Sequence, residues 1–531
     1  MRSRELRGRV RALTMIALCA VVVALYPGSV SAVPGAHTYY VSPSGDDTAN
    51  GWSKRTAWRT LSRVAQQQFI AGDRLLLEGG AVVHAGSIVL DPSNSAGNFE
   101  IGSYGGGRAI IEAGNHSGIV IKNLSDIKIS SLVIRGDGGA TDNDDLVARK
   151  NGILIFSQVD GQPAETVRYS NYSIDRVEVS HFEGNGVLLY SFSGTALRNA
   201  RVSNVVVHDN GWEGITVGAD DIWSRPNEDI YIGHSVAHHN RGTPGLWHHT
   251  GSGIVIGGVT RGMIEHCEQY ENGDLSDPSW TGGPVGIWAW DSDQVTIQFC
   301  KSHHMRTGNW DGGGFDFDLI TTNSVMQYNV SWDNQGYGYM LYEGGWGWHS
   351  GNAVRCNVSI GDAEGPPTSQ GALVAAFGLV DESFDHNLVY VDSTQSDEKI
   401  FQVSAWYGDN LRFHDNVVFA GPNTSPFVLD PDCWDGHCAG TNLQMFANTY
   451  RFESEPLPFS WNETQYSSIA DWQAATGLDL DAQIVIGPSQ LPSELELLKT
   501  QPLTREMFQR LIPGCQERPA LAADGTSVLT P

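Results

Sequence analysis

Short apolar runs opened by glycine recur along the middle of the chain, and within each run every second residue is apolar. Aligned on the glycine, successive copies read Gly186-Val-Leu-Leu-Tyr190, Gly214-Ile-Thr-Val-Gly218, Gly253-Ile-Val-Ile-Gly257, Gly286-Ile-Trp-Ala-Trp290, Gly314-Phe-Asp-Phe-Asp318 and Gly338-Tyr-Met-Leu-Tyr342. A second series keeps the same beat through Cys267, Cys300, Asn329, Asn357, Asn387, Asn416 and Asn448, at intervals of 33, 29, 28, 30, 29 and 32 residues. Alternation with a period of two is the pattern of strands, and no helical periodicity lies between the copies. A fixed repeat of this length built from strands predicts a solenoid of stacked coils.

The residue types at the repeated positions narrow the kind of coil. Ile, Val, Phe and Leu take the inward positions, whereas Gly and Asn take the turns, where left-handed backbone angles cost them little. An Asn at one turn of consecutive coils predicts a ladder of stacked, hydrogen-bonded amides. From about Tyr39 to about Tyr450 these features resemble the right-handed parallel β-helix proteins. The resemblance implies an all-β parallel β-helix, a fold used by extracellular enzymes that act on polysaccharides, although fold does not fix chemistry.

Residues 1–32 read as a secretory signal, with a basic stretch Arg2 to Arg11, an apolar stretch Ala12 to Leu25 and the small-residue site Val30-Ser31-Ala32. Residues 33–80 are expected to cap the first coil with a strand and a helix around Leu61 to Phe69, and residues 81–455 to form the β-helix. Residues 456–531 are expected to cover its far end, with short helices at Ile469 to Thr476, Ser493 to Lys499 and Thr504 to Leu511. Loss of the signal removes five of 33 basic and one of 60 acidic residues, leaving 28 against 59, a net charge of about −31. Such a surface disfavours nucleic acid, anionic membranes and polyanionic substrates, and a neutral glycan fits it best. The expectation is a secreted monomer with a polysaccharide or oligosaccharide substrate and no membrane partner once the signal is cleaved.

Among the six cysteines after the signal, Cys433 and Cys438 flank a short loop and are the first candidates for a disulfide. Cys267 and Cys300 occupy equivalent places in adjacent coils, about 4.8 Å apart, and either bridge or stack as small apolar residues. No Cys/His spacing suggests zinc. No organic cofactor is expected; calcium is possible, although no EF-hand-like loop is present.

Three consecutive coils are lengthened, at Ser224 to Asn227, Arg241 to Ser252 and Asn272 to Gly283. Insertions in a solenoid become loops on one face. These bring Trp247, His248, His249 and Trp280 beside the copies that carry unusual strand residues. In Gly314-Phe315-Asp316-Phe317-Asp318, alternation sends both phenylalanines into the core and both aspartates outward, about 6.5 to 7 Å apart at Cα. The preceding coil presents Trp288 and Trp290 at the same positions, and the following coil Met340 and Tyr342, with Glu343 next. Asp311 lies in the turn entering the acidic strand, with Asp291 and Asp333 nearby in register.

Carboxyl groups beside exposed aromatic rings suit a sugar-cleaving groove, since rings stack on pyranose faces and two acids share proton donation and nucleophilic or base duty. Single outward acids more often only solvate a face. The run Gly313-Gly314-Phe315-Asp316, followed by Asn329 to Gly336, resembles β-helical pectate lyases that use a lysine base on a Gly-Phe-Lys strand, with Asp316 in the lysine's place. That departure counts against elimination chemistry, for which Lys301 is the nearest lysine. Asp318 with Glu343 resembles the acid pair of β-helical β-xylosidases. Asp311 with Asp318, seven residues apart, resembles that of β-helical lacto-N-biosidases.

The expected catalytic set is therefore Asp318 as nucleophile or base, with Asp311, Asp316 or Glu343 as acid. The expected sugar-binding set is Trp288, Trp290, Tyr342, Trp247, His249 and His304, and the other central histidines are expected to fill turns. A glycoside hydrolase is the leading reading. A uronate lyase or epimerase and a non-catalytic glycan-binding protein are the alternatives.

Overall fold

In the computed structural model each repeat contributes one short strand to each of three sheets, and each sheet holds fourteen strands among the described residues. The structure describes residues 35–515 apart from 140–144, 162–164, 222, 280–281, 309, 346, 348, 364–369, 392–398, 422–423, 431–439, 454–458, 463 and 488–491. The segment read as a signal, Trp280, and the pair Cys433 and Cys438 lie outside the described residues. We call the sheets A, B and C, beginning at Thr38–Val41, Val82–His84 and Ile88–Leu90 respectively. The chain visits them in that order, each strand except the last of sheet C pairing in parallel with its counterpart one coil away, and the fold is a right-handed parallel β-helix.

The register follows the sequence pattern. Trp288, Asp316 and Met340 are cross-strand partners in sheet C, as are Trp290, Asp318 and Tyr342. The alternate residues Ile287, Ala289, Phe315, Phe317, Tyr339 and Leu341 are all buried in the central core. Phe315 stacks on Tyr339 with centroids 5.1 Å apart.

Between sheets A and B the predicted amide ladder is present. Asn329 Nδ2 donates to Asn357 Oδ1 at 3.1 Å, and the chain continues through Asn387, Asn416 and Asn448 at 3.2, 3.0 and 3.0 Å. The left-handed backbone angle falls on the residue before each rung, including Phe299, Tyr328, Cys356, His386 and Asp415, rather than on the asparagine. The asparagine is selected by its side-chain hydrogen bonds, so the strained position tolerates varied residue types. Cys267 and Cys300 are buried free thiols that continue the series, with Cys267 N–H donating to Cys300 Sγ at 3.4 Å. They stack and do not bridge. A second ladder lies between sheets B and C, where Asn210 donates to Asn240 and Asn240 to Asn272 at 2.9 and 3.0 Å, and Asn334 donates to Asp362 at 2.8 Å.

At the N-terminal end, Thr38–Val41 pairs with Arg74–Leu77, and the buried Trp58 stacks on Tyr39. Helix α1 spans only Leu61–Val64. It stops short of the expected Phe69 because the chain turns to bury that ring, and the Phe69 backbone N–H donates to the Asn94 carbonyl. At the other end, the coils run past residue 455 to the strand Gln483–Ile486 in sheet B. The strand Phe459–Trp461 pairs antiparallel with Thr464–Tyr466, and helix α2 (Ile469–Thr476) packs the buried Trp472 on Phe459.

Helices α3 (Glu494–Thr500) and α4 (Arg505–Leu511) do not cover the far end as expected. They fold back over sheet B, where Leu495, Leu498 and Phe508 bury the outward Val330, Trp332, Val358 and Ile360. These outward positions are apolar and require a cover. A disulfide joins Cys356 in that sheet's turn to Cys515, 159 residues later. No helix of the described residues is long and apolar enough to cross a membrane.

Candidate active site

The two outward rows of sheet C have different fates. The row through Leu154, Leu188, Thr216, Val255, Trp288, Asp316 and Met340 is buried beneath the connections from sheet B, which include the lengthened segments 241–252 and 272–283. Trp288, Val255, Met340 and Tyr337 form a small apolar cluster there, and Trp288 Nε1–H donates to Ser252 Oγ at 3.2 Å. The row through Phe156, Tyr190, Gly218, Gly257, Trp290, Asp318 and Tyr342 runs alongside, and its side chains retain partial exposure. Alternation alone distinguishes inward from outward; it does not say which outward row a loop will cover.

Three aspartates converge at this place. Asp318 ends the strand Phe315–Asp318 between the rings of Trp290 and Tyr342, and its Oδ1 accepts from Leu319 N–H at 2.7 Å. Asp311 enters from the preceding turn in a left-handed conformation, and its Oδ2 accepts from Gly283 N–H at 2.6 Å. Asp316 is only 2% exposed; its Oδ2 accepts from the Tyr337 hydroxyl at 3.0 Å, and its Oδ1 has no hydrogen-bond partner among the described residues.

Burial shifts the titration of all three upward, because a low-dielectric surrounding disfavours the charged form. Asp318 is pushed up to about 8 by burial and then by the charge of Asp311. Asp311 is raised by burial, with His249 and the Gly283 N–H opposing the rise. Asp316 is driven well above the carboxylate range by burial and by the other two aspartates. The negative charges of Asp318, Asp311 and Asp316 also add to the burial that raises Tyr342. Near neutral pH the cluster therefore retains protons, the condition under which one carboxyl donates while another stays charged.

His249 belongs to the site: its Nδ1–H donates to the Gly283 carbonyl at 2.9 Å, and its ring lies 5.8 Å from that of Trp288. Trp247 stands at the rim, 61% exposed, with Nε1–H donating to Ser279 O. Trp288 is buried beneath the loops and supports the site from below. His304 lies at the start of the connection to the acidic strand, where the groups acting on it are His303, Asp333, Arg306 and Glu271 rather than the three aspartates.

Glu343 is fully buried, and its carboxylate accepts from the N–H groups of Gly345, Gly347 and Gly378 and from the Tyr407 hydroxyl. Those four donors engage the Glu343 carboxylate, whereas the charges of Asp311 and Asp318 act on Asp316 and that of Asp311 on Asp318. Lys301 is on sheet B, and its ammonium donates to the Lys499 carbonyl at the end of α3. It is not on the acid-bearing sheet.

Sequence reasoning missed Tyr337, whose signal was its place directly before the glycine of the next repeat. It also missed Arg225, which reaches from its loop to the Thr322 hydroxyl at 2.8 Å and to within 3.5 Å of the buried Asp291. Asp291 is itself raised to about 7, mainly by burial. Among the described residues, His386, His414 and Asp415 offer metal-ligating atoms within 4.8 Å of one another, at the turn between sheets A and B and away from the aspartates.

Fold and site together define a right-handed parallel β-helix protein with an aspartate cluster and aromatic rings on the outer face of one sheet. Residues 166–365 match the family model described as the right handed beta helix region. The lacto-N-biosidase of Bifidobacterium longum subsp. longum is 24% identical over 424 residues, covering 62% of this chain and 26% of that protein. The chain thus spans about a quarter of the length of this curated relative. Among solved structures, the GH136 lacto-N-biosidase from Eubacterium ramulus superposes with a TM-score of 0.52 at 17% identity, over 78% of this chain and 67% of that one, in its selenomethionine form. Its native form gives a TM-score of 0.51 at 16% identity, over 78% and 68%. At these identities the structural likeness establishes the fold.

Proposed function

We propose that this protein is a glycoside hydrolase that cleaves a neutral or weakly charged oligosaccharide or polysaccharide, with Asp311 and Asp318 as its paired carboxyls. The observation that carries the reading is the convergence of these two residues, seven positions apart, at one place, where Asp318 is raised to about 8 by burial first and then by the charge of Asp311. One carboxyl protonates the glycosidic oxygen, and the other attacks the anomeric carbon or activates water. Asp316, anchored to Tyr337, contributes to the field around the pair. His249 holds Asp311 toward its charged form, and Trp290 and Tyr342 offer faces to the sugar. The similarity to proteins named lacto-N-biosidase supports a glycan-cleaving enzyme, as does the acidic surface, which disfavours polyuronates. The segment 1–32 is taken as an export signal, which places the activity outside the cell.

The test is to follow reducing ends and unsaturated-uronate absorbance together on a panel of neutral and acidic glycans. New reducing ends without absorbance, lost in both Asp311→Asn and Asp318→Asn, are expected. Absorbance that rises with the reducing ends would replace the hydrolase with a lyase, and turnover that survives both substitutions would overturn the assignment of the pair.

A further inference from the structure

The exposed row of sheet C contains glycine in two consecutive coils, at Gly218 and Gly257, where the rest of the row carries Phe156, Tyr190, Trp290, Asp318 and Tyr342. Neither glycine has the positive φ that would demand this residue. Glycine inside a strand costs roughly 0.5 to 1 kcal/mol relative to alanine, and its presence commonly marks close approach of another group. The approaching groups are visible here. A methyl built on Gly257 would lie 2.3 to 2.7 Å from Cε2, Nε1 and Cζ2 of Trp290, and one built on Gly218 would lie 3.2 Å from the Tyr190 ring. The indole therefore lies over one glycine and the phenol over the next, from opposite ends of the gap.

Beyond Tyr190 the apolar surface continues. Phe192 meets Tyr190 edge to face at 5.2 Å and Phe156 at 6.4 Å. With coils about 4.8 Å apart, Tyr190 stands about 19 Å from Asp318 along the row. On the other side of Asp318, among the described residues, Tyr342 packs edge to face on Phe377 at 5.1 Å, and the Tyr407 hydroxyl donates to Glu343. The opposite rims carry exposed indoles, Trp247 on the connection from sheet B and Trp223 on the connection to sheet A. Rings laid over glycine, bordered by further indoles, make an apolar strip open on its upper side and suited to pyranose faces.

We propose that the strip from Phe156 to Trp290 binds several consecutive sugar units of an uncharged glycan on the N-terminal side of Asp318, with Tyr190 and Trp290 as stacking platforms and Gly218 and Gly257 making room for them. This rests on the hydrolase reading, and it adds that the bound chain runs from the acids toward the N-terminal coils.

Binding and turnover separate the two ideas. Asp318→Asn protein is run through native gels containing arabinoxylan, glucomannan, galactomannan or mixed-linkage β-glucan. Tyr190→Ala and Gly257→Ala are added singly to that background, and Trp52→Ala, exposed at the N-terminal cap, serves as the control. Near-ultraviolet circular dichroism confirms that each variant is folded. Retardation by at least one gel, weakened tenfold or more by Tyr190→Ala and by Gly257→Ala but not by Trp52→Ala, is expected. In the active protein the same two substitutions should raise KM for long oligosaccharides tenfold or more, with little change for the shortest one cleaved. Absence of turnover with retention of this binding pattern would remove the hydrolase and leave the strip standing. Absence of retardation by all four glycans, or affinity unchanged within twofold in both strip variants, would overturn the strip.

Discussion

Asn334 connects the coil stack to the turn that carries Asp311, and its replacement by alanine is expected to destabilise the protein by about 3 kcal/mol. The side chain is fully buried. Its Nδ2 shares two hydrogens among three acceptors, the Ser302 carbonyl at 3.1 Å, Ser331 Oγ at 2.9 Å and Asp362 Oδ1 at 2.8 Å, while its Oδ1 accepts from Met305 N–H at 2.9 Å. A net contribution of about 1 kcal/mol for each of the three hydrogen bonds the amide makes at once gives the estimate. Stripping a donor from Asp362, already raised to about 7 by burial, pushes in the same direction. Met305 begins the connection that carries Asp311, so the change also loosens one member of the acid pair. Guanidinium unfolding followed by tryptophan fluorescence measures the loss, and hydrogen exchange at the Met305 amide localises it. Asn442→Ala, whose side chain makes one exposed bond to Asp409 at a left-handed backbone position, is the comparison and should cost about 1 kcal/mol. Variants at 334 and 442 that agree within 1 kcal/mol, or an unchanged Met305 exchange rate, would refute the reasoning.

Turnover should fall as the pH rises through about 8, because the proton needed for leaving-group departure is lost from the coupled pair in that range; a pH profile of kcat/KM that stays flat to pH 9.5 would contradict it. Glu213 is buried and raised to about 8, so the native state holds its proton longer than the unfolded chain. Its contribution is complete below the ordinary glutamate range and is lost toward pH 8, at up to roughly 1.4 kcal/mol per pH unit. Glu213→Gln should therefore gain stability relative to the parent between pH 5 and pH 8, read from denaturant midpoints. Lys301→Ala should keep at least half of the turnover, since the ammonium meets the Lys499 carbonyl and not the acids; loss of activity with an intact fold would revive the lyase. Cys356→Ser should lower stability by about 2 to 4 kcal/mol and expose the chain beyond residue 487 to limited proteolysis, whereas an unchanged digest would show that α3 and α4 hold without the bond.

The features that recur were legible in the sequence. Register in sheet C, the Asn329-to-Asn448 ladder and the three C-terminal helices all follow from local periodicity and turn chemistry, because each coil repeats the same physical problem. What occurs once was not legible. The partner of Cys356 lies in a tail outside the repeat, and the direction in which that tail folds is set by the apolar outer face of sheet B. Glu343 read as a free acid because the three glycine amides that surround it come from turns whose shape is tertiary. The full burial of Asp316 beneath loops while Asp318 stays partly exposed is likewise a property of connections, which carry no period. Asp311 was recoverable only through its spacing from Asp318.

The bond between Cys356 and Cys515 also imposes an order on biogenesis. At about 5 to 20 residues per second of synthesis, the 159 residues separating the two cysteines keep the first thiol waiting for roughly 8 to 30 seconds, while the coils after it are still being made. During that interval Cys356 has neither its partner nor the helices that shelter the neighbouring rings. A chain interrupted anywhere before Cys515 can stack its coils but cannot fasten them, so the cross-link serves as a receipt for completion.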